Sequence, residues 1–112
     1  MKIAFTAKGT EWDSPIDPRF GRAEFLVVYD EDTDTLTHFD NRAIANVAHG
    51  AGPQTAQKIF ELKADILITG NGPGGNAAAV LNTAGMDIYV GAAQFTIKQA
   101  LDAYKKAGLK KA

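Results

Sequence analysis

Apolar residues along the chain follow two different rhythms. In the first half they gather in short strand-like runs, Lys2 to Thr6, Glu24 to Tyr29 and Leu36 to Asn41. Aliphatic and aromatic residues fill these runs and polar or turn-forming clusters bound them, the signature of β-strands. Between the second and third run lies "DEDTD", Asp30 to Asp34, which reads as a solvated hairpin tip. In the second half, helical spacing alternates with strands. A helix is predicted from near Pro53, because proline suits the first helical position, where no N–H is needed. Its apolar set is Ala56, Ile59 and Phe60. The run Asp65 to Thr69 is continuous enough for a strand buried on both faces.

Asn76 is a plausible N-cap for a second helix, with Ala77, Val80, Leu81 and Ala84 on one face and Gly85 as its stop. Met86 to Val90 reads as the last strand. Thr96 and Gln99 have the spacing of a capping box, in which each side chain accepts the other residue's backbone N–H. The third helix follows, with Ile97, Ala100, Leu101 and Tyr104 at i, i+3, i+4 and i+7. Lys105 and Lys106 complement its dipole before Gly108. The order β-β-β-α-β-α-β-α predicts an α/β fold of three layers, α/β/α. Strands joined through helices should be parallel, with right-handed crossovers.

Composition narrows the function classes. The 112 residues suit one domain, residues 1–112, and an apolar fraction of 46% is ordinary for a globular protein. Twelve basic residues stand against 13 acidic ones, a net charge of −1, which gives no electrostatic footprint for nucleic acid or an anionic membrane. No apolar run approaches the ~20 residues that span a bilayer. The chain opens at once on strand-like "MKIAF", so the expectation is a cytoplasmic protein without a signal peptide. Cysteine is absent. That removes disulfides, thiolate-bound zinc or iron–sulfur sites and cysteine nucleophiles together, and leaves His, carboxylates, Met or backbone for any metal.

Three loops could carry chemistry. The first is "ITGNGPGGNAAAV", where Gly70, Gly72 and Gly75 satisfy the template G-x-G-x-x-G. A phosphate-binding P-loop needs Lys and Ser/Thr after the last glycine, but Asn76 and Ala77 stand there. A dinucleotide site needs an acid at the end of the next strand, which here ends in Gly91, and Pro73 removes a donor from the turn. Two readings stay open. Either the turn offers helix N-terminal N–H groups to an anion, or its glycines let helix and strand pack closely.

The second loop is "VAHGAGPQTA". His49 precedes a Gly-x-Gly-Pro turn that feeds a helix, near the sheet edge where open α/β folds bind ligands. Its imidazole reads as a metal ligand, a proton carrier or a merely exposed side chain. The third is "DSPIDPRFGRAEF", with Arg19 and Arg22 about Phe20-Gly21. Such arginines bind anions through their planar fork, or pair with Asp17 to hold the loop. Asp30, Asp32 and Asp34 imitate a calcium loop, but Thr35 stands where glycine is required and Asn41 where the bidentate Glu belongs.

Together, "DPRFGRAEFLVVYD", Asn41, "HGAGPQTA", "ITGNGPGGNAAAVLNTAGMDIYVG" and the closing "TIKQALDAYKKAGL" resemble the dinitrogenase iron–molybdenum cofactor biosynthesis family, which includes NifX-like proteins and the C-terminal domain of NifB-like ones. The likeness covers nearly the whole chain. It implies a single NifX-like domain with a ribonuclease-H-like motif and a mixed five-stranded sheet, order 3-2-1-4-5, strand two antiparallel. It implies a non-catalytic carrier of an anionic iron–sulfur or iron–molybdenum cofactor precursor, working with cofactor-biosynthesis proteins. Carried over position by position, the site comprises Arg19, Phe20, Gly21, Asn41, His49, Gly50, Gly52, Gly70, Gly72 and Gly75. His49 is the metal ligand, Arg19 the charge partner, and the glycines allow close backbone approach. Two other classes compete: an enzyme acting on a phosphorylated or nucleotide substrate, and a regulatory or interaction module without a small ligand.

Overall fold

The computed structural model describes residues 1–112. Its elements are β1 (Lys2–Ala7), β2 (Phe25–Asp30), β3 (Thr35–Asp40), α1 (Arg42–Ala45), α2 (Ala51–Glu61), β4 (Ile66–Ile68), α3 (Gly75–Thr83), β5 (Asp87–Val90), α4 (Ile97–Lys105) and β6 (Lys110–Lys111). They build one mixed sheet in the order β3-β2-β1-β4-β5-β6. β2 runs antiparallel to β1 and to β3, while β1, β4 and β5 are mutually parallel. The predicted order 3-2-1-4-5 is present, but the sheet has six strands, not five. Two lysines carry no apolar rhythm, so β6 is invisible to pattern reading. It forms because Ala107, at φ 58°, turns the chain after α4 and lets Lys110 and Lys111 pair antiparallel with Val90 and Tyr89.

Strand alternation divides the core between the two faces of the sheet. Ile3, Phe5 and Ala7 of β1, Val27 of β2 and Ile66 and Ile68 of β4 meet Ile97, Ala100 and Leu101 of α4. On the other face, Ala4, Leu26, Val28, Leu67 and Ile88 pack against Ala56 and Ile59 of α2 and Ala77 and Leu81 of α3. Three layers result because a strand places successive side chains on opposite faces.

Helix starts differ from expectation in instructive ways. α2 begins at Ala51, with Gly50 as N-cap in the left-handed region at φ 79°. Pro53 is its third residue rather than its first. The first intrahelical bond is Gln54 N–H to Gly50 C=O, so the N–H that proline lacks has no partner within the helix anyway. α3 begins at Gly75 with Gly74 as its extended N-cap, and Asn76 lies inside the first turn without capping anything. Phe60, expected on the buried face of α2, is half exposed; Ala84 is exposed as well. A further short helix, α1, follows β3.

Candidate functional site

The parallel strands β1, β4 and β5 all end at one edge of the sheet. The antiparallel register puts the start of β2 and the end of β3 there too, since Ala7 pairs with Phe25 and Phe25 with Asp40. All three loops that could carry chemistry therefore emerge from this carboxyl edge, whereas the Asp30–Asp34 tip lies at the other. Two helix starts meet there. A Cβ on Gly52 would lie 3.7 Å from that of Ala77, so α2 and α3 begin side by side.

Glycine is required at several of the contacts that assemble the edge. A Cβ on Gly21 would lie 2.8 Å from the backbone of Gly52, and one on Gly70 2.5 Å from Cα of Pro18. Gly21 and Gly70 thus serve close packing of the Asp13–Phe25 loop on the two glycine turns. Gly72 combines φ +85° with Val90 at 3.1 Å from its would-be Cβ, so both conformation and space exclude a side chain. Gly74 and Gly75 are different. Nothing lies within 4 Å of the space their side chains would fill.

The three longer helices that start at this edge treat their first-turn N–H groups differently. At α4 all are bonded: Thr96 N–H to Oε1 of Gln99, Gln99 N–H to Oγ1 of Thr96, Ile97 N–H to Ser14 C=O and Lys98 N–H to Trp12 C=O. The expected capping box is present in full. At α2 and α3 no side chain caps the helix, and the first backbone N–H with a partner belongs to Gln54 and Ala78 respectively. Neither start finds an acceptor in the protein, at the positive end of its dipole: at α3 the residues concerned, Gly75 and Asn76, are exposed, whereas at α2 Pro53 has no N–H, Ala51 is buried and Gly52 packs on Gly21.

Polar groups in the floor are tightly arranged. Asp17 is fully buried and receives the backbone N–H of Arg19 at 3.0 Å and its Nε and Nη2 at 3.2 Å each. The ion pair weighed from sequence exists, with Arg19 as partner. It holds the Arg19 guanidinium above its usual pKa, mainly through the side-chain hydrogen bonds and then through charge. Thr6 Oγ1 donates to Asp17 C=O at 3.0 Å and accepts from Thr69 Oγ1 at 2.6 Å, tying β1, β4 and this loop together. Asn41 is fully buried. Its Nδ2 donates to Ala23 C=O and Thr55 Oγ1, its backbone N–H donates to Glu24 C=O, and its Oδ1 has no partner. Phe20 is buried against Leu26 and the α2–α3 face. Both residues belong to the floor that supports the lip.

His49 stands exposed, one residue before the N-cap of α2. It lines none of the five principal hollows, and no group of three or more His, Asp or Glu side chains gathers anywhere as a metal-ion site. Gly50, Gly52, Gly70, Gly72 and Gly75 share the edge with His49, although no enclosed cavity forms between them. The most apolar groove, about 450 Å³ between α2 and α3, is lined by Gln57, Phe60, Ala79, Val80, Thr83 and Ala84 and contains no ionisable group.

Arg22, weighed from sequence as an anion binder or a partner of Asp17, instead clamps backbone. Its Nη1 donates to the carbonyls of Ala45 and Val47, both at 2.6 Å, and so fixes the segment leading to His49. Sequence reasoning passed over Arg42, which follows β3 and grips Asp40 at 2.7 Å. Its signal was the charge at a strand end, which sequence alone cannot distinguish from solvated surface.

Fold and edge together define a three-layer α/β protein whose glycine turns and open helix starts collect at the carboxyl end of a mixed sheet. Family comparison gives the class a name: residues 1–107 match the model described as dinitrogenase iron-molybdenum cofactor, and the chain belongs to that family. Among solved structures it is similar to the apo form of the orange protein from Desulfovibrio gigas. The identity is 35%, covering 99% of this chain and 92% of that one, with a TM-score of 0.92. It is similar too to a candidate NifB protein from Thermotoga, placed in the DUF35 family, at 29% identity, 98% and 91% coverage and a TM-score of 0.84. No curated protein matches the chain. No helix is long and apolar enough to cross a membrane.

Proposed function

We propose that this chain is a single NifX-like carrier domain that binds an anionic iron–sulfur cofactor precursor at the carboxyl edge of its sheet, without catalysis. The observation that carries the reading is the pair of neighbouring helix starts, α2 and α3, whose first-turn N–H groups have no acceptor in the protein. Membership of the cofactor family supports it, as does a similar protein that is called orange and has an apo form.

The donor set fits one kind of cargo. A bare metal ion needs about four or more ligands from its surroundings, and no such group of side chains is present. A cluster that brings its own sulfides needs few bonds from protein. It requires one displaceable ligand and a field that favours negative charge. His49 supplies the ligand, and the helix starts supply the field. Arg19 faces the edge with its side chain 58% exposed, and keeps N–H donors beyond those bonded to Asp17. Gly74 and Gly75 leave room for close approach of the cargo to backbone.

Anaerobic addition of an iron–sulfur or iron–molybdenum precursor is expected to give a coloured complex that survives gel filtration. His49→Ala should weaken it without changing thermal stability. A complex of unchanged strength would reject His49 as ligand, and absence of any complex would reject carriage.

A further inference from the structure

A second feature of the same edge lies on its β2–β3 side. There a hollow of about 600 Å³ is lined by Arg19, Arg22, Glu24, Arg42, Ala45 and Asn46. Of the residues assigned to the cargo site it shares only Arg19, and neither His49 nor any glycine turn lines it. We propose that this hollow is a separate binding site for a small molecule bearing oxyanion groups, phosphate or carboxylate.

The argument rests on how the three guanidinium groups are held. Arg19 gives two side-chain bonds to buried Asp17, Arg42 gives two to Asp40, and Arg22 gives two to the carbonyls of Ala45 and Val47. Arg42 also lies over the ring of Phe25, 5.2 Å from its centroid. Each fork is therefore fixed on one side by its own chain, and each retains N–H donors on the other. These retained donors do nothing for the fold. Fixing such long side chains in advance removes much of the ordering cost that weakens exposed ion pairs.

Charge and size narrow the ligand. Arg22 is held by neutral carbonyls, so no bonded carboxylate offsets its charge. Asp17 and Asp40 already pair Arg19 and Arg42, which leaves the Arg22 charge and one free carboxylate: the Glu24 side chain has no hydrogen-bond or ion-pair partner, and its charge acts on both Arg19 and Arg42 after their own aspartates. Planar forks suit oxyanions rather than cations. A volume of this order exceeds a single phosphate and suits a ligand that engages more than one fork. Glu24 works against it as a like charge, which limits affinity and makes it salt-sensitive.

The test is a titration of the full chain with inorganic phosphate, pyrophosphate and citrate at low ionic strength, followed by amide chemical shifts and calorimetry. Saturable shifts are expected around Arg42, Ala45 and Asn46, with pyrophosphate or citrate binding more tightly than phosphate. A preference for pyrophosphate identifies a phosphate-type ligand, and one for citrate a carboxylate-type ligand. Arg42→Gln should weaken binding about tenfold, the effect of losing one charge-assisted bidentate contact. Glu24→Gln should strengthen it several-fold, and His49→Ala should leave it unchanged. Non-saturating shifts, shifts centred on the Gly70–Gly75 turn, or an Arg42→Gln protein that binds as well as the parent would overturn the proposal. Cluster carriage is judged separately by the coloured complex, so either reading can fail while the other stands.

Discussion

Helix α4 and the pair α2 and α3 start from the same edge of one sheet, yet their first turns are built in opposite ways. α4 has every leading N–H bonded, two of them within the Thr96–Gln99 box and two to the carbonyls of Ser14 and Trp12. α2 and α3 have glycine N-caps and no capping side chain. An N-cap side chain contributes about 1 kcal/mol relative to alanine and a few tenths relative to glycine. Its absence at two adjacent helices leaves stability unclaimed at the place where a ligand would gain most from open donors. The sealed start serves the fold. The uncapped starts are the ones proposed to meet the cargo.

The contrast can be broken most severely at the glycines that hold the open side together. Gly21→Ala and Gly70→Ala each drive a methyl group into backbone, at 2.8 Å and 2.5 Å respectively, and should cost about 1–3 kcal/mol in denaturant unfolding. A cost near zero for both would mean that the Asp13–Phe25 loop is not pressed against α2 and Gly70 as described. On the sealed side, Thr96→Ala should lose about 1 kcal/mol by the same measurement and leave cargo binding untouched. Gly74→Ser sharpens the comparison further. Its φ of −70° and ψ of 174° suit serine, and open space surrounds the position. The new cap should stabilise α3 by a few tenths of a kcal/mol while weakening the coloured complex. Stabilisation with undiminished cargo binding would dissociate the open helix start from carriage.

The smallest expected effect is a titration. Asp40, bonded by Arg42, has its pKa lowered from 3.8 to about 2, chiefly by the side-chain hydrogen bonds. A carboxylate depressed on folding adds stability that is complete above its unfolded pKa and is lost as pH falls through the folded one. Between pH about 4 and about 2, Asp40→Asn should therefore flatten the parent protein's decline in stability, measured by thermal melts across that window.

The sequence made the α4 start fully legible, because a capping box uses two side chains at fixed spacing. Likewise legible were the central strands: Ile66, Leu67 and Ile68 form an unbroken apolar run, and the structure covers both of its faces. The order of the first five strands came from the family likeness of the loops rather than from hydrophobic rhythm. What escaped reading was set by tertiary context. Asn76 has the chemistry of a cap, but Gly74 takes the role because the preceding turn reaches its extended geometry two residues earlier. Phe60 shares the helical stripe with Ile59, yet its side of α2 borders a surface groove rather than the sheet. Asn41 looked like a binding residue and is fully buried, bonded to Ala23 and Thr55. At the candidate site, pattern picked out loops that the fold brings to one edge of the sheet. It could not say which of their polar residues would turn inward.

The sheet's two margins are unequal, and this gives the molecule a direction. β6 closes one side with two exposed lysines, one of them tied to Asp87, and charged side chains of that kind discourage another strand from docking. β3, six residues long and largely exposed, borders the other side with its outer backbone row unpaired. Of the two margins, the row along Thr35 to Asp40 is therefore the one that offers a longer unpaired backbone edge.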